Sequence, residues 1–151
     1  MATFLCGDPG PLAIAAAIYH NLGDQKTVDK CLEKIISMRS NALKSSNPDE
    51  YLYGRAGYLY TLMFLRREIG QHVVDTQLIT DVFQTMIKSG EKYAQQTRSQ
   101  SPLMYKWHDS EYMGAAHGVS GIVYLLLKVK KKQVRWKECE SLVAYSIGHT
   151  R

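Results

Sequence analysis

The sequence predicts an all-α chain built from repeated helical hairpins, and three observations carry that expectation. Apolar runs alternate with amphipathic runs along the chain. Each apolar run is introduced by Gly-x-x-Gly. No segment sustains the period-two alternation of a half-buried strand.

The elements follow in order. Leu12 to Leu22 is apolar almost throughout, as expected of a helix buried on all sides. Val28 to Leu43 places Val28, Cys31, Leu32, Ile35 and Ile36 at intervals of three and four, the pattern of an outer amphipathic helix. Tyr58 to Ile69 is again nearly all apolar until Arg66. Leu78 to Tyr93 is amphipathic, through Ile79, Val82, Phe83, Met86 and Ile87. Ile122 to Val129 forms a third apolar run, and Val134 to Ile147 a third, weaker amphipathic one. The Ser-rich stretches Lys44–Asp49 and Thr97–Pro102 read as connecting loops.

Gly7-Asp8-Pro9-Gly10, Gly54-Arg55-Ala56-Gly57 and Gly118-Val119-Ser120-Gly121 open the three apolar runs. Their first glycines stand 47 and 64 residues apart. Two-helix units at such a period signal stacked helical hairpins, with length variation in the connections. Glycine suits these positions because backbone must pass close to a neighbouring helix, and because it tolerates positive φ. The N-termini of such helices would bring free N–H groups and positive dipole character to one rim, where an anion could bind. Packing alone also accounts for the glycines. Three hairpins form an open arc that leaves part of its inner apolar layer uncovered. Such a chain should associate or be part of something longer.

Composition is that of a globular protein, at 45% hydrophobic and 22% charged, so a core can form. Net charge is +5, much of it in Lys128, Lys130, Lys131, Lys132, Arg135 and Lys137. Such a run is usually a solvated loop between helices. It could also meet a membrane surface or a protein partner, and nucleic acid is not expected. Cys6, Cys31 and Cys139 are odd in number and widely spaced, and no basic flank with a long apolar stretch opens the chain. Free thiols in the cytoplasm are the expectation, with membrane association or a nuclear location also open. No window approaches 18 apolar residues.

Four stretches then match one family in order. They are Thr3-Phe4-Leu5-Cys6-Gly7-Asp8-Pro9-Gly10-Pro11-Leu12-Ala13, Leu52-Tyr53-Gly54-Arg55-Ala56-Gly57-Tyr58-Leu59-Tyr60, Pro102-Leu103-Met104-Tyr105-Lys106-Trp107-His108 and Gly114-Ala115-Ala116-His117-Gly118-Val119-Ser120-Gly121-Ile122. Together they resemble the eukaryotic lanthionine synthetase C-like (LanC-like) proteins, from about Thr3 to Tyr124, with the match fading after Leu127. The resemblance implies an α/α toroid of seven hairpins. Residues 1–151 would form a single partial LanC-like domain with repeats near 4–43, 50–96 and 112–147. It further implies thioether formation by addition of glutathione to dehydroamino acids, and one zinc ion held by two cysteines and a histidine in later Cys-His motifs. No Cys-His pair occurs in this sequence, so no metal ligand and no cofactor is assigned to the chain, which is expected to be inactive alone.

His117 is the first candidate for chemistry. A lone histidine before a glycine is more often structural; the resemblance instead places the family's catalytic general acid/base here. Glu50 is the second catalytic candidate, as a carboxylate that orients or exchanges protons with His117. It could equally be a loop charge favoured by the following helix dipole. Arg55 is a substrate-binding candidate for a carboxylate or phosphate, or else a partner for Glu50 or Asp49. Tyr105 and Trp107 read as packing for their loop, with cavity lining as the other reading. The alternative to an enzyme part is a glutathione-binding or protein-interaction module without catalysis, from a truncated isoform.

Overall fold

The structure, a computed structural model, describes residues 1–133, with side chains through Val129. The described residues form α1 (Pro9–Asn21), α2 (Gln25–Ser37), α3 (Arg39–Ala42), α4 (Arg55–Glu68), a 3₁₀ turn (Gln71–Val73), α5 (Thr76–Thr97) and α6 (Val119–Gln133). No strand occurs among them; an isolated bridge joins Trp107 and Ser110. The all-α fold class is therefore as the sequence predicts, and it is consistent with an arc of an α/α toroid. The expected helix over 134–147, Cys139 and most of the basic run lie outside the described side chains.

The helices stack as two hairpins and the start of a third. α1 packs on α2, α4 packs on α5, and α4 also contacts both α1 and α6. The apolar helices α1, α4 and α6 therefore form the inner layer, with α4 in the middle. Tyr58, Leu59, Leu62 and Leu65 of α4 are fully buried against Ile35 of α2, Ile79, Val82 and Met86 of α5, and Ile122 and Leu125 of α6. Asp24 and Asp75 cap α2 and α5 by accepting hydrogen bonds from the amides of Thr27 and Gln77. Among the described residues no helix is long and apolar enough to cross a membrane.

Four expectations change. The amphipathic run from Val28 to Leu43 is two helices, because the Met38 amide bonds the Ile35 carbonyl and tightens the last turn of α2. α1 is not buried on all sides: Ile14, Ile18 and Leu22 form an exposed apolar stripe, Ile18 at 53% and Leu22 at 71% exposure. The run beginning at Lys128 continues α6 as far as Gln133 rather than forming a loop there, and the Lys128 ammonium lies 4.7 Å from the centre of the Tyr124 ring.

The fourth change concerns the glycines. None of the six in the Gly-x-x-Gly pairs has positive φ; Gly23 and Gly70, just past α1 and α4, do. The six are there for close approach. A Cβ on Gly7, Gly10, Gly54, Gly57, Gly118 or Gly121 would fall 1.9–2.5 Å from a backbone carbonyl oxygen, in every case that of the residue six positions earlier. Each lead-in loop thus folds back on itself in the same way. The first amides of α4 and α6 are also used inside their own loops. Arg55 and Ala56 donate to Pro48 and Asp49, and Val119 and Ser120 donate to Tyr112 and Met113. These four N–H groups are not free for an anion.

Tyr58 gives a stability test of the inner layer. Its hydroxyl donates to the Ile35 carbonyl at 3.0 Å, and burial pushes it up from 10.0 to about 12. A phenol raised in the folded state stabilises fully below the unfolded value and loses that contribution as pH rises from about 10 to about 12. Tyr58→Phe is expected to cost about 1 kcal/mol at neutral pH through the lost hydrogen bond. It should also flatten the alkaline loss of stability. Urea midpoints of both proteins from pH 8 to 11 check this; parallel curves would contradict it.

Candidate active site

The three lead-in loops meet at one end of the inner layer. The Thr3 hydroxyl, from the first loop, donates to the carbonyls of Tyr51 and Leu52 in the second, at 3.3 and 2.8 Å. The Tyr51 amide donates to the Ala116 carbonyl in the third at 3.3 Å. Phe4, Tyr51 and Tyr60 pack ring against ring beneath, with Phe4 edge-on to Tyr60 at 4.9 Å. The second loop is thereby held between the other two.

That arrangement brings Glu50 and His117 together across 67 residues of chain. His117 Nδ1 lies 2.8 Å from Glu50 Oε2. Glu50 is 1% exposed, and its carboxylate also accepts the backbone amides of Leu52, at 3.0 Å, and Tyr53. A carboxylate only accepts, so Nδ1 donates, and in the neutral imidazole Nε2 keeps its lone pair. Nε2 makes no hydrogen bond among the described residues, and the His117 side chain is 33% exposed. The pair therefore has one buried, fixed member and one that can reach a ligand.

Aromatic rings frame the histidine. Tyr53 and Trp107 lie parallel to it, with centroids 6.2 and 5.9 Å away, and Tyr112 leans in at 6.0 Å. Trp107 is aimed by a tight turn in which Trp107 and Ser110 exchange backbone hydrogen bonds at 3.0 and 3.2 Å while His108 takes φ 52°. The Tyr53 hydroxyl is pushed up chiefly by the neighbouring Cys6 thiol, then by burial and by the Glu50 charge. Cys6 is exposed at the same rim.

Arg55 stands apart from this group. It is 2% exposed and its donors serve the chain: Nη1 reaches Asp49 Oδ1 at 2.8 Å, Nε the Ala42 carbonyl at 3.1 Å, and Nη2 the Lys44 carbonyl at 2.5 Å. Of the two readings of Arg55, the structure displays the pairing with Asp49. Burial raises the Asp49 carboxyl above its usual range, while Arg55 and the Ser89 hydroxyl pull it back. Tyr105 is packing, as expected; its buried hydroxyl donates to the Met86 carbonyl. Trp107 is not only packing. Tyr53 was not singled out by sequence reasoning, although it sits between Glu50 and Gly54 in the same matched stretch.

The family model described as lanthionine synthetase C-like protein matches residues 1–147. The chain belongs to that family. The match covers the basic run and the segment beyond it, where motif reading fades. Among relatives of this LanC-like chain, the zebrafish (Danio rerio) protein named Glutathione S-transferase LANCL1 is 44% identical over 130 residues, 83% of this chain and 32% of that protein. LanC-like protein GCL1 of Arabidopsis thaliana is 29% identical over 155 aligned residues, 97% of this chain and 36% of its own length. The LanC-like chain thus spans about a third of the length of these relatives. No three His, Cys, Asp or Glu side chains among the described residues converge into a group that could hold a metal ion.

Proposed function

We propose that this chain supplies the proton-transfer part of a site that adds a thiol, glutathione, to a dehydrated Ser or Thr residue. The observation that carries the reading is the Glu50–His117 pair at the rim where the three lead-in loops meet. The zebrafish relative's name supports glutathione as the thiol. Nε2 of His117 takes the thiol proton, and the resulting imidazolium is stabilised by the buried Glu50 carboxylate. The thiolate sulfur bonds the alkene's β-carbon, and the π electrons move onto the α-carbon and its carbonyl as an enolate. His117 then returns the proton to the α-carbon. A thioether forms with no net gain or loss of protons, and no metal step is routed through these residues. Tyr53 and Trp107 form flat walls that restrict how a planar dehydroamino acid approaches the imidazole.

The second reading is a glutathione-binding or interaction module without catalysis, for which the zebrafish relative's name supports the glutathione part. Both readings treat the 151 residues as a partial LanC-like domain. The test is a chimaera in which this chain replaces the matching segment of the zebrafish relative. His117→Asn in that chimaera is expected to lower thioether formation on a dehydroalanine peptide by about 10²–10⁴-fold, with retention on immobilised glutathione unchanged. Equal rates with and without the imidazole would sink the first reading. Histidine-dependent turnover by the 151-residue chain alone would refute the expectation that it is inactive by itself.

A further inference from the structure

Behind the rim, a cleft of about 620 Å³ lies between the 45–49 segment, α5 and the 104–108 segment. Its floor is the buried Asp49–Arg55 ion pair, so the one carboxylate lining it is already matched by a guanidinium. Lys88 and Lys92, four apart on one face of α5, form one wall, and Lys106 stands on the opposing segment. The Lys106 ammonium lies 5.8 Å from the centre of the Tyr93 ring. None of the three lysines forms an ion pair among the described residues. Glu111, which raises the Tyr93 hydroxyl, and Glu91, close enough for Tyr105 to feel its charge, are the neighbouring acids, and neither lines the cleft. The local field is therefore positive. Like charges four apart on a helix repel, and a bridging anion relieves that repulsion.

We propose that this cleft binds a phosphate monoester, its phosphate held by Lys88, Lys92 and Lys106. The exposed hydroxyls of Ser45 and Ser46 line the same cleft and add neutral donors. The volume falls in the range of small-molecule sites and far exceeds one phosphate. Tyr93, Met104 and Trp107 offer apolar and aromatic surface for the rest of the ligand. The ligand class is therefore a phosphorylated compound with a flat or apolar body. The site borders the thiol site at Trp107 but does not use His117 or Glu50, so the lysine substitutions that test it leave the proton-transfer pair in place.

Calorimetric titration of the 151-residue chain tests it, with phenyl phosphate, inorganic phosphate, and potassium chloride at matched ionic strength. Saturable binding of phenyl phosphate is expected, tighter than inorganic phosphate, with no response to chloride. K88E/K92E should weaken it about tenfold or more, since two charge-assisted contacts are reversed. The same variant should keep its thermal midpoint without ligand, because both side chains are exposed. His117→Asn should bind as the parent does. Undiminished affinity in K88E/K92E, an equal response to chloride, or no saturable binding would overturn the site. Inorganic phosphate binding as tightly as phenyl phosphate would overturn the assignment of the apolar body.

Discussion

Arg55→Leu is expected to lower the free energy of unfolding by about 3–5 kcal/mol, as befits an ion pair broken from one side in the interior. The substitution leaves Asp49 buried without its cation, and it also orphans the carbonyls of Ala42 and Lys44. Those carbonyls fix the loop that leads from α3 to Glu50, so the loss is felt at the rim as well as in global stability. The pH dependence has a definite sign. The folded Asp49 carboxyl is raised above 3.8, so it favours the folded state at low pH, and that contribution is lost as pH rises through the folded value. Removing Arg55 removes a lowering influence and moves the window upward. The deficit should therefore be smaller near about pH 4 than at neutrality. In the double variant Asp49→Leu/Arg55→Leu most of the loss should return, leaving about 1–3 kcal/mol for the unpaired carbonyls. Urea unfolding of the single and double variants at both pH values measures all of this. A single variant as stable as the double at neutral pH would show that the charge is not what Arg55 serves.

Gly57→Ala is the second large effect, at about 2–4 kcal/mol of destabilisation. Alanine is the better helix former by about 1 kcal/mol, so propensity alone predicts the opposite sign. The added Cβ would sit 1.9 Å from the Thr3 hydroxyl oxygen and 2.5 Å from the Tyr51 carbonyl oxygen. Thr3 is fully buried and its hydroxyl joins the first loop to the second. It cannot move aside without breaking that tie. Thr3→Ala in the same chain removes one obstacle and not the other. The two substitutions should therefore be less costly together than their sum, with the double variant still below the parent. Strict additivity in thermal or urea unfolding would mean that the two sites do not share the strain.

The layering of this chain is legible in its sequence because burial leaves different periods. α4 is apolar around most of its circumference and sits in the middle of the inner layer; α5 carries one apolar stripe and sits outside. Which face of an apolar helix is covered cannot be read that way. α1 looks like α4 in composition, yet Ile14, Ile18 and Leu22 face outward because α2 and α4 cover only two sides. The break at Met38 is hidden because Ala42 and Leu43 stay in phase with the apolar stripe of α2. His117 was readable through its motif, and the partnership with Glu50 was one of two readings. The aromatic frame was not readable. Trp107 meets the histidine from a turn in which His108 takes positive φ, and aromatic residues at that spacing fill ordinary cores far more often.

The sixfold recurrence of one short-range backbone clasp gives the molecule a form of modular construction. Each hub approach is shaped by its own ten-residue stretch, so its geometry is insulated from whatever length of chain arrives before it. Insertions such as those that stretch the interval from 47 to 64 residues can accumulate on the circumference without disturbing how successive spokes are presented at the centre.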